Sequence, residues 1–215
     1  VVYRTARNAR EAGIPYIYKK TDSALRGNIG SELTAVMDAA GSDTIAFLPA
    51  FPKMGRVTRN GVHYVDGVPV AESVFGKDPF EPVKASAVAQ IVGGQTEVPV
   101  VLHRLDEAAV PGAPGIQVYD ATTDEDLARI GGELGTERLR LSAGCAGFAT
   151  ALADVLGLNG TEPQMPQLPS AFFVACGSVN PVTLRQMRWA EQNGFVHIHL
   201  EPLQKLEPAW LESED

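Results

Sequence analysis

The chain has 215 residues, 45% hydrophobic and 20% charged, with 18 Lys+Arg against 26 Asp+Glu and a formal net charge of −8. An ordinary apolar fraction excludes low-complexity disorder, and no apolar run approaches the roughly 20 residues that a membrane-crossing helix needs. The acidic balance argues against any general affinity for nucleic acid or an anionic membrane, so a small anionic substrate would need a local basic cluster.

Residues 1–12 read as a helix stopped by Gly13 and Pro15. This polar stretch is unlike a signal peptide and has no initiator Met, so the chain is expected to begin inside a larger gene product or to have lost its first residues. Pro15–Lys20 reads as a short strand. After the polar loop TDSALRGN, the apolar spacing of Ile29, Leu33, Val36, Met37 and Ala40 predicts a helix over Ile29–Ala40, with Asn28 as N-cap and Gly41 as the stop. Thr44–Leu48 is an apolar strand of the kind buried in a parallel sheet, which completes a βαβ unit.

The texture then changes. Asp66-Gly67 between His63–Val65 and Val68–Val70 is a type I′ hairpin signal. Ser86 is expected to cap a short helix to about Val92. Pro99–His103 and Ile116–Tyr119 read as strands, and Thr123 with Asp126 forms a capping box opening a helix to about Leu134. Arg138–Leu141 reads as a strand, followed by the small-residue turn SAGCAG and a helix to about Leu156. Leu158–Ser170 has the Pro, Gly and polar content of a linker. Beyond it come a strand at Ala171–Cys176, a tight loop at Gly177–Asn180, a helix from Pro181 to Asn193 stopped by Gly194, and a strand at Val196–Leu200.

The fold class expected is therefore α/β: a mostly parallel sheet with flanking helices and a β-hairpin insertion, followed by the start of a second α/β domain. The boundaries expected are a first domain over 1–157, a linker over 158–170 and an incomplete second domain over 171–215. Two cysteines, Cys145 and Cys176, make no disulfide framework or zinc motif, which points to a reducing, cytoplasmic compartment.

Ligands of open parallel sheets bind outside the carboxyl ends of the strands. The loops at Lys20–Asn28 and Pro49–Arg56 share such an edge, so Lys19, Lys20, Asp22, Ser23, Arg26, Asn28 and Arg56 are candidates to converge. Arginine forks and a lysine charge suit a carboxylate, the helix start adds N–H groups, and Asp22 could orient or deprotonate a hydroxyl. The plainer reading is that Asp22 braces the loop by pairing with Arg26. The residues alone leave both open. Gly144 and Gly147 read better as tight packing than as a phosphate loop, Trp189 as helix core, and His197 with His199 as a pair short of a third metal ligand.

KKTDSALRGNIGSEL resembles the signature KKTDSTLRGNIGAEL of the four-carbon acid sugar kinases. PAFPKMGRVTRNGVHYVDGVPVAES, LSAGCAGFATALA and ACGSVNPVTLRQM resemble three further blocks of that family, in the same order. The resemblance implies an N-terminal acid-sugar-binding domain and a C-terminal nucleotide-binding domain. The activity implied is ATP-dependent phosphorylation of the terminal hydroxyl of a four-carbon sugar acid such as threonate or erythronate, with Mg²⁺ bridging the ATP phosphates. It makes Asp22 the catalytic candidate, gives Lys20, Ser23, Arg26, Gly27, Asn28 and Arg56 to the substrate, and gives Gly177 and Ser178 to ATP. The partner expected is the small sugar acid, with no nucleic acid or membrane; a homodimer is open.

Ala24 stands where the family usually has Thr, and Cys145 where it has Leu. The DDxTG-like motif near the family's start and its Gly-rich nucleotide region fall outside these residues, so part of the substrate site and most of the ATP site are expected to be missing. Two other readings are a non-catalytic sugar-acid-binding module and an NAD(P)-dependent hydroxy-acid dehydrogenase, the latter lacking its dinucleotide fingerprint.

Overall fold

A computed structural model describes residues 1–199, other than 80, 110–112, 159, 162, 168–170, 172 and 179. The chain divides into two units, Val1–Glu162 and Pro163–Asp215. In the first, the elements run α1 (Val2–Glu11), β1 (Ile17–Lys20), α2 (Ile29–Ala40), β2 (Thr44–Leu48), β3 (Arg56–Arg59), β4 (Val62–Val65), β5 (Val68–Pro69), α3 (Val88–Gly93), β6 (Val100–His103), β7 (Gly115–Tyr119), α4 (Asp124–Arg138), β8 (Leu141–Gly144) and α5 (Ala146–Val155). Short 3-10 turns occupy Pro52–Met54, Val70–Glu72 and Val74–Lys77. No helix among the described residues is long and apolar enough to cross a membrane.

Five strands form a parallel sheet in the order β1-β8-β2-β7-β6. Alternation sends Ile45 and Phe47 of β2 to one face, with Leu33, Val36 and Met37 of α2, and Ala46 and Leu48 to the other, with Leu127 and Ile130 of α4 and Phe148 of α5. Both faces are thus covered, which is why β2 carries no polar side chain beyond its first residue. The expected βαβ unit is present, but β8 lies between its two strands.

The strand expected at Arg138–Leu141 instead spans Leu141–Gly144. α4 runs on to Arg138 across a kink at Gly135 (φ 66°, ψ 170°), which occupies the expected start. The supposed turn residues are the strand because only small side chains fit there: a Cβ on Gly144 would stand 2.4 Å from the Leu48 carbonyl oxygen. A Cβ on Gly147 would stand 2.7 Å from the Ala50 carbonyl oxygen and 2.9 Å from Phe51 Cα, as tight packing requires.

The insertion is a three-stranded antiparallel sheet, β3-β4-β5. Asp66-Gly67 makes the expected left-handed turn (φ 51° and 81°). A second turn of the same kind at Asn60-Gly61 (φ 53° and 71°), an Asn-Gly hairpin signal, joins β3 to β4. The insertion docks on the end of β7 through a two-way backbone pair between Thr58 and Ala121, and buried Asp120 accepts the Gly61 N–H at 3.0 Å. Ser86 does not cap α3. Ala87 holds that position, and the Ser86 hydroxyl accepts the Ala71 N–H instead.

In the second unit α6 spans Pro181–Gln192 and is capped by Asn180. The described residues of 171–176 and 196–200 form no strand, since a strand needs a pairing partner and none lies among them; residues 172 and 200 fall outside the description. Trp189, expected as helix core, is 63% exposed, and no residue of α6 is buried. His197 lies against the Glu191 carboxylate, and no group of three or more metal-ligating side chains occurs among the described residues.

Candidate functional site

The carboxyl ends of β1, β2, β7 and β8 form a crest onto which the insertion folds. β1 ends at Lys20, and the Thr21 N–H still donates to the Gly144 carbonyl at 2.8 Å. The chain then wraps around the Asp22 carboxylate. Oδ2 accepts the backbone N–H groups of Ala24 (3.1 Å) and Arg26 (3.2 Å) and the Arg26 Nε–H (3.0 Å), while Oδ1 accepts Arg26 Nη2 (3.0 Å). Two residues of this wrap are left-handed: Leu25 (φ 62°) and Gly27 (φ 90°). Glycine accepts that conformation freely, whereas leucine is strained by it. Burial of the Leu25 side chain in the core offsets the strain.

Burial alone would raise the Asp22 pKa, but the hydrogen bonds and charge of Arg26 outweigh it and hold the carboxyl below its ordinary range. The Arg26 guanidinium is correspondingly pushed up, chiefly by its hydrogen bond to Asp22. The bracing pair anticipated from sequence is therefore present and bidentate. Both Asp22 oxygens are committed to it.

Arg26 also faces Asp78, with Nη1 to Oδ2 at 3.6 Å, and lies over the Phe75 ring. Arg56, at the start of β3, lies over the same ring and donates from Nη1 to the Met54 carbonyl. Its Nε–H is buried with no hydrogen-bond partner among the described residues, and the same holds for the Thr21 hydroxyl. Two of the orphaned polar atoms in the described structure thus belong to these loops, and such atoms are costly unless something binds them.

His63 of β4 is fully buried beneath the loop. Its Nε2 meets the Ser23 carbonyl at 2.9 Å and its Nδ1 the Thr58 hydroxyl at 3.0 Å. A carbonyl only accepts, so Nε2 carries the proton and Nδ1 receives the Thr58 O–H. Burial depresses the imidazole pKa to about 4, so the ring is neutral at physiological pH.

Asp22, Ser23, Arg26 and Arg56 are thus brought together around Phe75 and His63. Lys20 is exposed on the side of Cys145, whose thiol burial pushes up. Lys19 is drawn off to Glu32 at 2.7 Å. Gly27 is exposed, and its carbonyl accepts Gln95 Nε2. Asn28 takes the N-cap position of α2 by its backbone, and its side chain makes no cap hydrogen bond, contrary to the capping role expected. Gly177 and Ser178 lie in the second unit before α6, where the Ser178 hydroxyl accepts the Asn180 N–H at 3.2 Å. His63, Phe75, Asp78 and Thr21 escaped the sequence reading.

A cavity of about 730 Å³ opens at the opposite, amino edge of the sheet, between Arg10, Gly41, Thr44, Gln117, Arg138 and Arg140. α1, α2 and α4 all end there, so Arg10 and Arg138 complement helix C-termini and the field disfavours an anion. The crest, not this cavity, is the candidate site.

A family model described as a sugar-binding N-terminal domain matches residues 1–152. A D-threonate kinase of Salmonella typhimurium is 36% identical over 186 residues, covering 80% of this chain and 42% of that protein. A D-erythronate kinase of Heliobacterium modesticaldum is 31% identical over 212 residues, covering 88% and 47%. A crystal structure of a domain of unknown function from Bordetella bronchiseptica, a domain-swapped dimer with bound citrate, aligns with TM-score 0.63 at 34% identity over 72% of this chain and 40% of that one. The chain spans less than half the length of each of these proteins.

Proposed function

This chain belongs to the four-carbon acid sugar kinase family, and from that membership we propose that it supplies the acid-sugar-binding part of an ATP-dependent kinase. The substrate in this reading is a four-carbon sugar acid such as threonate or erythronate, phosphorylated on its terminal hydroxyl. The observation that carries it is the pair of guanidiniums, Arg26 and Arg56, on the carboxyl edge of a parallel sheet in an acidic protein. Such a pair suits one small carboxylate. The citrate bound by the Bordetella relative is carboxylate-rich and supports the same chemistry.

Arg26, Arg56, Lys20, Ser23, Gly27 and Asn28 hold the acid and its hydroxyls in this reading. Asp22 contributes by aiming Arg26. With its oxygens taken by four donors and its pKa held low, it is a poor base, and the proton of the attacking hydroxyl needs another acceptor. The second unit opens the nucleotide-binding part. Gly177 has nothing within 4 Å of where a Cβ would stand, and Ser178 sits before α6, so a phosphate there would exchange with its present hydrogen bond. The kinase reading implies Mg²⁺, which when bound would neutralise charge on the transferred phosphoryl group. A homodimer accords with the domain-swapped dimer of the Bordetella relative.

The test is ADP release by the full-length protein with ATP, Mg²⁺ and D-threonate or D-erythronate in turn. Turnover with at least one acid is expected. Binding of the acid without ADP release would replace the kinase with a binding module, and neither binding nor release would overturn the reading altogether.

A further inference from the structure

Arg26 lies in the loop after β1 and Arg56 at the start of β3, yet they meet at one object that the substrate reading leaves unused, the ring of Phe75. Cζ of Arg26 stands 5.1 Å from the ring centroid and Cζ of Arg56 5.9 Å from it. The ring is rooted from behind, where Phe75 packs on the cluster of Ala24, Val65, Val70 and Val83. Its backbone is pinned at both ends: the Phe75 N–H donates to the Ser73 hydroxyl at 3.2 Å, and the Phe75 carbonyl accepts the Val83 N–H at 3.0 Å.

Two guanidiniums brought close repel each other. The negative face of an aromatic ring attracts both. A guanidinium that lies with its face on a ring keeps its N–H edge for a ligand. Asp22 holds the Nε–Nη2 edge of Arg26 and Asp78 stands 3.6 Å from its Nη1, so a carboxylate on that arm competes with Asp78, while the buried Nε–H of Arg56 lacks a hydrogen-bond partner among the described residues. We propose that Phe75 is a positioning residue, which holds Arg26 and Arg56 at a fixed spacing as a two-armed fork for the carboxylate of a four-carbon sugar acid. This rests on the functional reading of the crest given above. Phe75 touches no substrate in this account and acts through the two arginines.

The test is calorimetric titration of the full-length protein with D-threonate and, separately, D-erythronate. Phe75→Leu keeps the bulk and removes the π face, and Phe75→Tyr keeps both. Binding by F75L is expected to weaken about tenfold, with F75Y within about twofold of the wild type. Arg56→Lys keeps the charge but loses the guanidinium that lies over the ring. The double variant F75L/R56K is expected to bind no more weakly than the weaker single variant, because both remove one arrangement. Wild-type affinity in F75L, equal weakening in F75Y and F75L, or additive losses in the double variant would each overturn the proposal. If F75L gives no cooperative melt, Phe75→Met makes the same comparison. A folded wild type that binds neither acid would overturn the functional reading as well, which is a different result from the other three.

Discussion

His63 ties the loop after β1 to the insertion through two hydrogen bonds, from a buried position that disfavours its charged form. The unfolded chain takes up this proton near pH 6.5 and the folded one near pH 4, so between those values the unfolded state binds more protons. Stability is therefore full above about pH 6.5 and falls as pH drops, by about 3 kcal/mol once both forms are protonated. Urea melts from pH 7 to pH 4 should show this slope, and His63→Gln should flatten it, because an amide can donate to Ser23 and accept from Thr58 without titrating. An unchanged slope in that variant would mean that other groups carry the dependence. At this scale the sequence was partly legible. Asp22 and Arg26, four apart in a short polar loop, announce a local pair. His63 and Phe75 act across about 40 and about 50 residues on Ser23 and Arg26, and nothing in local spacing records such distances.

Elements with a period or a turn signature were legible. The helix Ile29–Ala40 and the strand Thr44–Leu48 lie where their apolar spacing puts them. The capping box of Thr123 and Asp126 forms as read. β8 was misplaced because its residues were chosen for size, and Ser-Ala-Gly in sequence looks like a turn. The same crowding makes a prediction. Gly144→Ala would set a methyl 2.4 Å from a backbone oxygen of β2 that has no room to yield, and should cost about 1–3 kcal/mol. Gly132→Ala, in α4 with nothing within 4 Å, should be neutral or slightly stabilising. Chemical denaturation of the two variants checks both, and equal midpoints would show that β2 and β8 can separate at no cost.

For the whole molecule, the expectation of a first domain ending near residue 157 and a linker to 170 becomes a proteolysis experiment. Residues 160, 161 and 163–167 are exposed, with no helix or strand among them. A broad-specificity protease should cut there first and leave a resistant fragment close to residues 1–157, identified by mass. First cuts inside the parallel sheet would contradict that organisation. The position of β8 reaches further still. Among the described residues β1 pairs only with β8, which lies about 120 residues later. A growing polypeptide leaving the ribosome therefore gains this partner of β1, and the support it gives the arginine loop that follows, only once Leu141–Gly144 has emerged. The crest loop precedes its scaffold strand by about 120 residues, so slow synthesis or truncation between the two would deprive it of that scaffold while its own residues were intact.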